Sequence, residues 1–211
     1  MRSPLIIGHR GFAARFPDNS LAGVAGALAA GADGVEVDVR RSACGSWVCH
    51  HDRSRGGRLV REWTDGALAQ EDVATLAEIV ALVPADRQLF VEVKPLPERN
   101  LVEGLGAFEA LLRPRLAGTR VISSSPGVLR AVRRAIPEVA VSLVFDAIPQ
   151  TVPDGFELSP AHRLVERLHS KGVPLHPWTV NRPGRMRELA RLGVASITTN
   201  DPRLAVEVFG G

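Results

Sequence analysis

Tyrosine is absent from the 211 residues, aromatic side chains make up only 5%, and of 26 basic residues only Lys94 and Lys171 are lysine. The arginines are spread along the chain without a basic block or interleaved aromatics, so a net charge of +3 does not indicate a nucleic-acid partner. Such a partner would predict strongly salt-dependent retention on DNA. Against the bias toward arginine, each lysine that remains is a candidate for a specific role. Cysteine is nearly missing: Cys44 and Cys49 lack the Cys-x-x-Cys spacing, which excludes a disulfide framework or a zinc site and leaves free thiols. No apolar run approaches the roughly 20 residues of a membrane span. Met1 to Pro4 lead directly into an apolar strand, with nothing resembling a signal peptide. A soluble, cytoplasmic protein without stable membrane insertion is expected. With 45% hydrophobic and 23% charged residues, residues 1–211 read as one domain.

Short apolar runs alternate with helical patterns nearly from end to end, the signature of an α/β protein with a parallel sheet. Strands are expected at Leu5–Gly8, Val35–Val39, Leu89–Val93, Val121–Ser123, Val139–Phe145, Phe156–Leu158, Pro174–Thr179 and Ser196–Thr199, with a short extra strand at Trp47–His50. Helices are expected from Asn19 or Ser20 to Gly31, at Ala74–Leu82, Leu101–Leu112, Gly127–Arg134, Ala161–Ser170 and Gly184–Leu192, and from Pro202 onward. Eight strands in this alternation imply a compact (β/α)8 TIM barrel. Only ten residues, including Pro149, Pro153 and Gly155, separate Phe145 from Phe156, too few for a crossover helix. One helix, after strand five, is therefore expected to be missing. The bare strands there would expose Leu143 or Val144 and make a homodimer plausible.

In such a barrel the active site gathers at the C-terminal ends of the strands. His9 and Arg10 end strand one, Glu36 and Asp38 lie in strand two, Glu92 and Lys94 in strand three, and Thr179 and Asn181 end strand seven. Residues two apart on a strand share a face, so Glu36 projects with Asp38 and Glu92 with Lys94, while Val37 and Val93 face the helices. One acidic pair alone reads more readily as a solvated edge or as a partner for Arg40 and Arg41. Two pairs in strands that should be apolar on both faces need a shared reason. Three carboxylates aimed into one space repel and raise one another's pKa, a cost that a bound divalent cation removes; oxygen-only ligation suggests Mg²⁺ or Ca²⁺. His9 taken alone suits a hydrogen-bonded core position, and His51 a turn beside Asp52. Together, facing a carboxylate-bound metal, they suit an acid and base pair for phosphoryl transfer, with Arg10 and Lys94 supplying charge for a phosphate. Trp178 reads first as barrel packing and only then as a substrate contact.

The runs "IIGHRGFAARFPDNSLAG", "GADGVEVDV", "VCHHD", "VEVKP", "PLHPWTVN" and "GVASITTNDP" resemble the glycerophosphodiester phosphodiesterases in order and spacing across nearly the whole chain. The resemblance implies hydrolysis of glycerophosphodiesters to glycerol 3-phosphate and an alcohol. It implies Glu36, Asp38 and Glu92 as metal ligands, His9 and His51 as acid and base, and Arg10 and Lys94 on the phosphate. It also puts His51, not His50, at the family's His-Asp position. Three departures bear on substrate preference: Asp18 stands where the family usually has glutamate, the segment after Asp52 is short, and Ser125 and Pro126 replace an aromatic residue. Other readings are a phosphodiesterase acting on lysophospholipids or other phosphodiesters, and a binding protein that kept the barrel without turnover.

Overall fold

The structure is a computed structural model describing residues 3–64, 66–67, 70 and 73–210. Met1 and Arg2, the start of the segment read as leading into the first strand, lie outside the described residues. The chain runs β1 (Leu5–Gly8), α1 (Leu21–Ala29), β2 (Gly34–Arg41), β3 (Trp47–Cys49), β4 (Ser54–Arg55), β5 (Arg58–Leu59), α2 (Leu76–Leu82) and β6 (Gln88–Val93). It continues through α3 (Glu98–Leu112), β7 (Thr119–Ser123), α4 (Pro126–Ala135), β8 (Ala140–Phe145), β9 (Glu157–Pro160), α5 (Pro183–Arg191), β10 (Ser196–Thr199) and α6 (Pro202–Phe209). Seven strands pair in parallel in the order β10-β1-β2-β6-β7-β8-β9, and β3 adds antiparallel to β2. The expected seventh barrel strand is an extended segment carrying only isolated bridges. It still bonds on both sides. The His176 N–H donates to the Leu158 carbonyl at 2.8 Å, and the Val180 N–H donates to that of Thr198 at 2.9 Å. The curled sheet closes through it as a TIM-barrel-like fold.

The core follows from alternation. Val35, Val37 and Val39 of β2 and Val91 and Val93 of β6 are buried against the helices, while the residues between them point into the barrel. Ser20 caps α1 by accepting from the Gly23 N–H at 3.0 Å. The Thr75–Glu78 capping box opens α2. Toward the N-terminal ends of the strands the barrel is filled by a polar chain. Arg120 donates to Glu157, His176 Nε2 lies 3.1 Å from Glu157 Oε2, and His176 Nδ1 lies 2.8 Å from Ser196 Oγ. The Phe90 ring packs between, with the Arg120 guanidinium 4.9 Å from its centroid and the His176 ring edge-on.

Two expectations need correction. The segment expected as a helix over Ala161–Ser170 forms two 3₁₀ turns, His162–Arg167 and His169–Lys171. Pro160 before it and a left-handed Gly172 after it leave room only for these short turns, which bury Leu164, Val165 and Leu168. The connection after β8 has no helix, as expected, but it does not leave the strands bare. Leu143 is buried in the main core, against which Ile148 and Val152 of the connection also pack, and Val144 is buried among the residues that fill the barrel. Leu143 and Val144, on whose exposure a homodimer was expected, are both buried. Among the described residues, no helix is long and apolar enough to cross a membrane.

The chain of polar groups in the lower barrel carries a testable consequence. Burial pushes the Glu157 carboxyl up, but hydrogen bonds from His176 and Arg120 outweigh it and bring it down to about 2. A carboxyl depressed on folding stabilises fully above its ordinary value of 4.5 and loses that contribution as pH falls toward 2. Glu157→Gln is expected to lower unfolding free energy by about 2 kcal/mol at pH 7, with the gap to wild type narrowing below pH 4.5. Urea denaturation across that range checks it, and a gap that stays constant with pH would contradict it.

Candidate active site

Parallel pairing of β2 with β6 places Asp38 beside Glu92 and Glu36 beside Phe90. Glu36, Asp38 and Glu92 thereby converge at the C-terminal end of the barrel, each offering a carboxylate oxygen within 4.8 Å of the others. Glu36 and Asp38 are almost fully buried. Lys94 Nζ sits 2.7 Å from both Asp38 Oδ1 and Glu92 Oε1. The loop after β1 completes the cage. Arg10 donates its backbone N–H to Glu36 Oε2 at 3.0 Å, and its Nε lies 3.2 Å from Asp38 Oδ2.

That loop is held in a conformation side chains rarely adopt. Arg10 and Asn19 both have positive φ, 51° and 60°, and the Asn19 N–H donates to the Arg10 carbonyl at 3.0 Å. Gly11, at φ 84°, lies so close to α1 that a Cβ would fall 2.6 Å from the Gly23 carbonyl carbon. Because Ser20 caps the helix, Asn19 is free to bind Asp38 twice. It donates Nδ2–H to Oδ2 at 3.0 Å and accepts from the Asp38 N–H at 2.9 Å. Asp18 reaches Arg10, Oδ2 to Nη1 being 2.6 Å.

Cations reach the three carboxylates unevenly. Burial pushes the Asp38 carboxyl up, but the Lys94 ammonium and the bonds from Asn19 and Lys94 outweigh it and hold it below its ordinary value. The Glu92 carboxyl is raised, chiefly by burial, with Lys94 offsetting part. Glu36 is raised well above the carboxylate range by burial first and by Asp38 and Glu92 next. Its Oε1 is buried with no hydrogen-bond partner among the described residues. A buried carboxylate oxygen without a donor is costly, and the three carboxylates offer the oxygen ligands that a hard divalent cation takes.

His9 donates from Nδ1 to Asn200 Oδ1 at 2.6 Å, and its Nε2 lies 3.9 Å from Glu36 Oε2. Burial lowers its pKa, so the ring is neutral at pH 7. Asn200 is itself fixed, donating its N–H to Asn181 Oδ1 at 2.9 Å. His51 Nδ1 lies 2.8 Å from Asp52 Oδ1. His9 and His51 border a cavity of about 180 Å³ with the carboxylates Glu36 and Glu92, and Phe90, Ile122, Val144 and Trp178 give it apolar surface. The Trp178 indole N–H is anchored on the Ser159 carbonyl at 2.8 Å.

Residues 9–204 match the glycerophosphoryl diester phosphodiesterase family. The chain belongs to that family. The glycerophosphodiester phosphodiesterase of Caldanaerobacter subterraneus subsp. tengcongensis is 26% identical, with 97% of each chain covered. A probable glycerophosphodiester phosphodiesterase of Mycobacterium tuberculosis is 29% identical over 94% of this chain and 90% of its own. The fold is shared with the Thermotoga maritima glycerophosphodiester phosphodiesterase, at a TM-score of 0.83 and 23% identity, with 99% of each chain covered. It is also shared with an Oleispira antarctica phosphodiesterase solved with the product sn-glycerol-3-phosphate, at a TM-score of 0.86 and 21% identity, covering 99% and 98%. As a member of this family the chain is a phosphodiesterase.

All eight residues singled out from the sequence, His9, Arg10, Glu36, Asp38, His51, Glu92, Lys94 and Trp178, lie in or against one site. Arg10 and Lys94, expected to face a phosphate, line the cavity and also pair with carboxylates. His50 turns away, stacking near Trp63 at 5.9 Å between centroids. Sequence reasoning gave no role to Asn200 and took Asn19 only as a candidate helix cap. A polar residue directly after the last barrel strand was the available signal for Asn200.

The isolated Glu36 carboxylate predicts that Glu36→Gln stabilises the protein in chelator. An amide keeps the acceptor for the Arg10 N–H and removes a charge whose folded pKa is raised, so at pH 7 the gain should be about 1 kcal/mol or more. Equal or lower stability of the variant in chelator, measured by urea denaturation, would contradict it.

Proposed function

We propose that this chain hydrolyses soluble glycerophosphodiesters to glycerol 3-phosphate and an alcohol from one barrel domain, with Glu36, Asp38 and Glu92 holding Mg²⁺ or Ca²⁺. The observation that carries the reading is the partnerless, buried Glu36 oxygen beside two further carboxylates, in a barrel of this family. When bound, the cation would neutralise the carboxylates and polarise a phosphoryl oxygen.

The chain's own groups supply the proton transfers. The neutral His9 ring carries its proton on Nδ1, bonded to Asn200, so Nε2 is free to accept a proton from the water that attacks phosphorus. A new P–O bond then forms as the bond to the alcohol oxygen breaks, and His51, oriented through Asp52, donates a proton to that oxygen. Arg10 and Lys94, once less engaged with the carboxylates, face the negative charge developing on the phosphoryl oxygens. Trp178 and its apolar neighbours back the glycerol carbons and exclude water.

Release of glycerol 3-phosphate from glycerophosphocholine, assayed with Mg²⁺, Ca²⁺ or chelator, tests the reaction; no release with either metal would contradict it. His51→Ala is expected to lower turnover at least about a hundredfold, and His50→Ala to change it little. Equal losses, or a larger loss at His50, would place the proton donor elsewhere.

A further inference from the structure

The small cavity has a larger neighbour. A groove of about 830 Å³ adjoins it, and Lys94 lines both. Six cations border the groove: Arg40, Arg41, Arg53, Arg61, Lys94 and Arg99, with apolar surface from Leu59 and Leu96. None of the described residues bordering it is acidic. Glu103 reaches it from α3, 3.3 Å from Arg41 and 3.8 Å from Arg99, and Asp38 and Asp52 act on Arg40 from the side of the carboxylates. Arg53 and Arg61 are exposed and make no ion pair among the described residues. The short hairpin of β4 and β5, turned on Gly56 and Gly57 at positive φ, places Arg53 and Leu59 on one wall.

The groove's position relative to the proton donor gives it a direction. Arg40 donates from Nε and Nη2 to the His51 carbonyl at 3.0 and 2.7 Å, so the groove begins directly behind the residue assigned to protonate the departing oxygen. The alcohol leaves on that side. A cavity of about 180 Å³ accommodates the glycerol phosphate half, and the larger one is open to the other half. Exposed arginines such as Arg53 and Arg61, without an ion pair among the described residues, concentrate anions in a concave, partly apolar site.

We propose that the groove is the leaving-group subsite and that it selects glycerophosphodiesters whose alcohol portion itself carries phosphate. This rests on the hydrolytic reading above and deepens it. Arg53 and Arg61 are its principal anion-binding side chains, Arg41 and Arg99 being shared with Glu103. The strong hydration and size of an added phosphate favour guanidinium forks over a single ammonium, which suits a groove built from arginine.

Glycerophosphoinositol and glycerophosphoinositol 4-phosphate differ only in that second phosphate. The expected kcat/KM of wild type is at least about tenfold higher for the phosphorylated substrate at low salt. In Arg53→Gln/Arg61→Gln that ratio is expected to fall toward one. A wild-type ratio near or below one, or a ratio unchanged in the double variant, overturns the proposal. A second measurement reads the groove without turnover: calorimetric titration of inositol 4-phosphate into chelator-treated wild type and double variant. Binding by wild type that the variant weakens at least about tenfold supports the subsite even if neither diester is cleaved, a result that would count against the hydrolytic reading alone. No binding at millimolar concentration, or retention on phosphatidylglycerol vesicles in its place, overturns it in favour of no subsite or of a membrane-facing surface.

Discussion

Three carboxylates crowded onto the ends of two adjacent strands are the constraint around which this barrel is arranged. In β2 and β6 the inward positions would otherwise be filled by apolar side chains, as they are at Ile7, Phe90, Ile122 and Val144. Glu36, Asp38 and Glu92 break that pattern and impose requirements outward. The Asp38 carboxylate takes a lysine, an arginine and the Asn19 amide N–H to stay charged, while the Asn19 oxygen holds the Asp38 backbone N–H. That demand fixes the loop after β1 in a conformation with two side-chain residues at positive φ and a glycine pressed against α1. Local backbone strain is placed where charge must be held. Glu36, left with one backbone donor and an unpartnered oxygen, is the residual imbalance.

Much of this was legible in the sequence because it is a matter of period. Val35, Val37 and Val39 alternate with Glu36 and Asp38, and Glu92 with Lys94 repeats the pattern one strand over, so convergence follows from the two-residue repeat. Helix starts were read to within a residue: Asn19 or Ser20 as the first cap, where Ser20 serves; Gly127 and Gly184, where the prolines just before them, Pro126 and Pro183, hold the first helical positions; and Pro202 itself. The missing helix after β8 followed from counting residues. Tertiary demands were harder to read. Pro174 and Pro177 deprive the seventh strand of N–H donors, so it bonds only at intervals, and the 161–171 segment is too confined for α-helical spacing. The same loop that lacks a helix lays Ile148 and Val152 against the main core, which no local pattern announces. Asn200 serves His9 across 191 residues of chain, which only the closed barrel brings about.

Sequence also could not show that the site has two unequal sides. The apolar wall around Trp178 and the arginine groove behind His51 come from opposite parts of the barrel, and the polar chain of Arg120, Glu157, His176 and Ser196 closes the floor beneath them. The short hairpin after Asp52, read as a trimmed loop, forms one wall of the groove. A loss of length there opens the site on that side, where arginine is dense and acid is sparse.

We propose that the three carboxylates need a divalent cation to be balanced. Calorimetric titration of Mg²⁺ or Ca²⁺ into chelator-stripped wild type, alongside the Asp38→Asn variant, measures this. One ion is expected to bind per wild-type chain, with binding weakened at least about tenfold in the variant. Absence of binding by both ions in wild type, or equal binding by the two proteins, would contradict it.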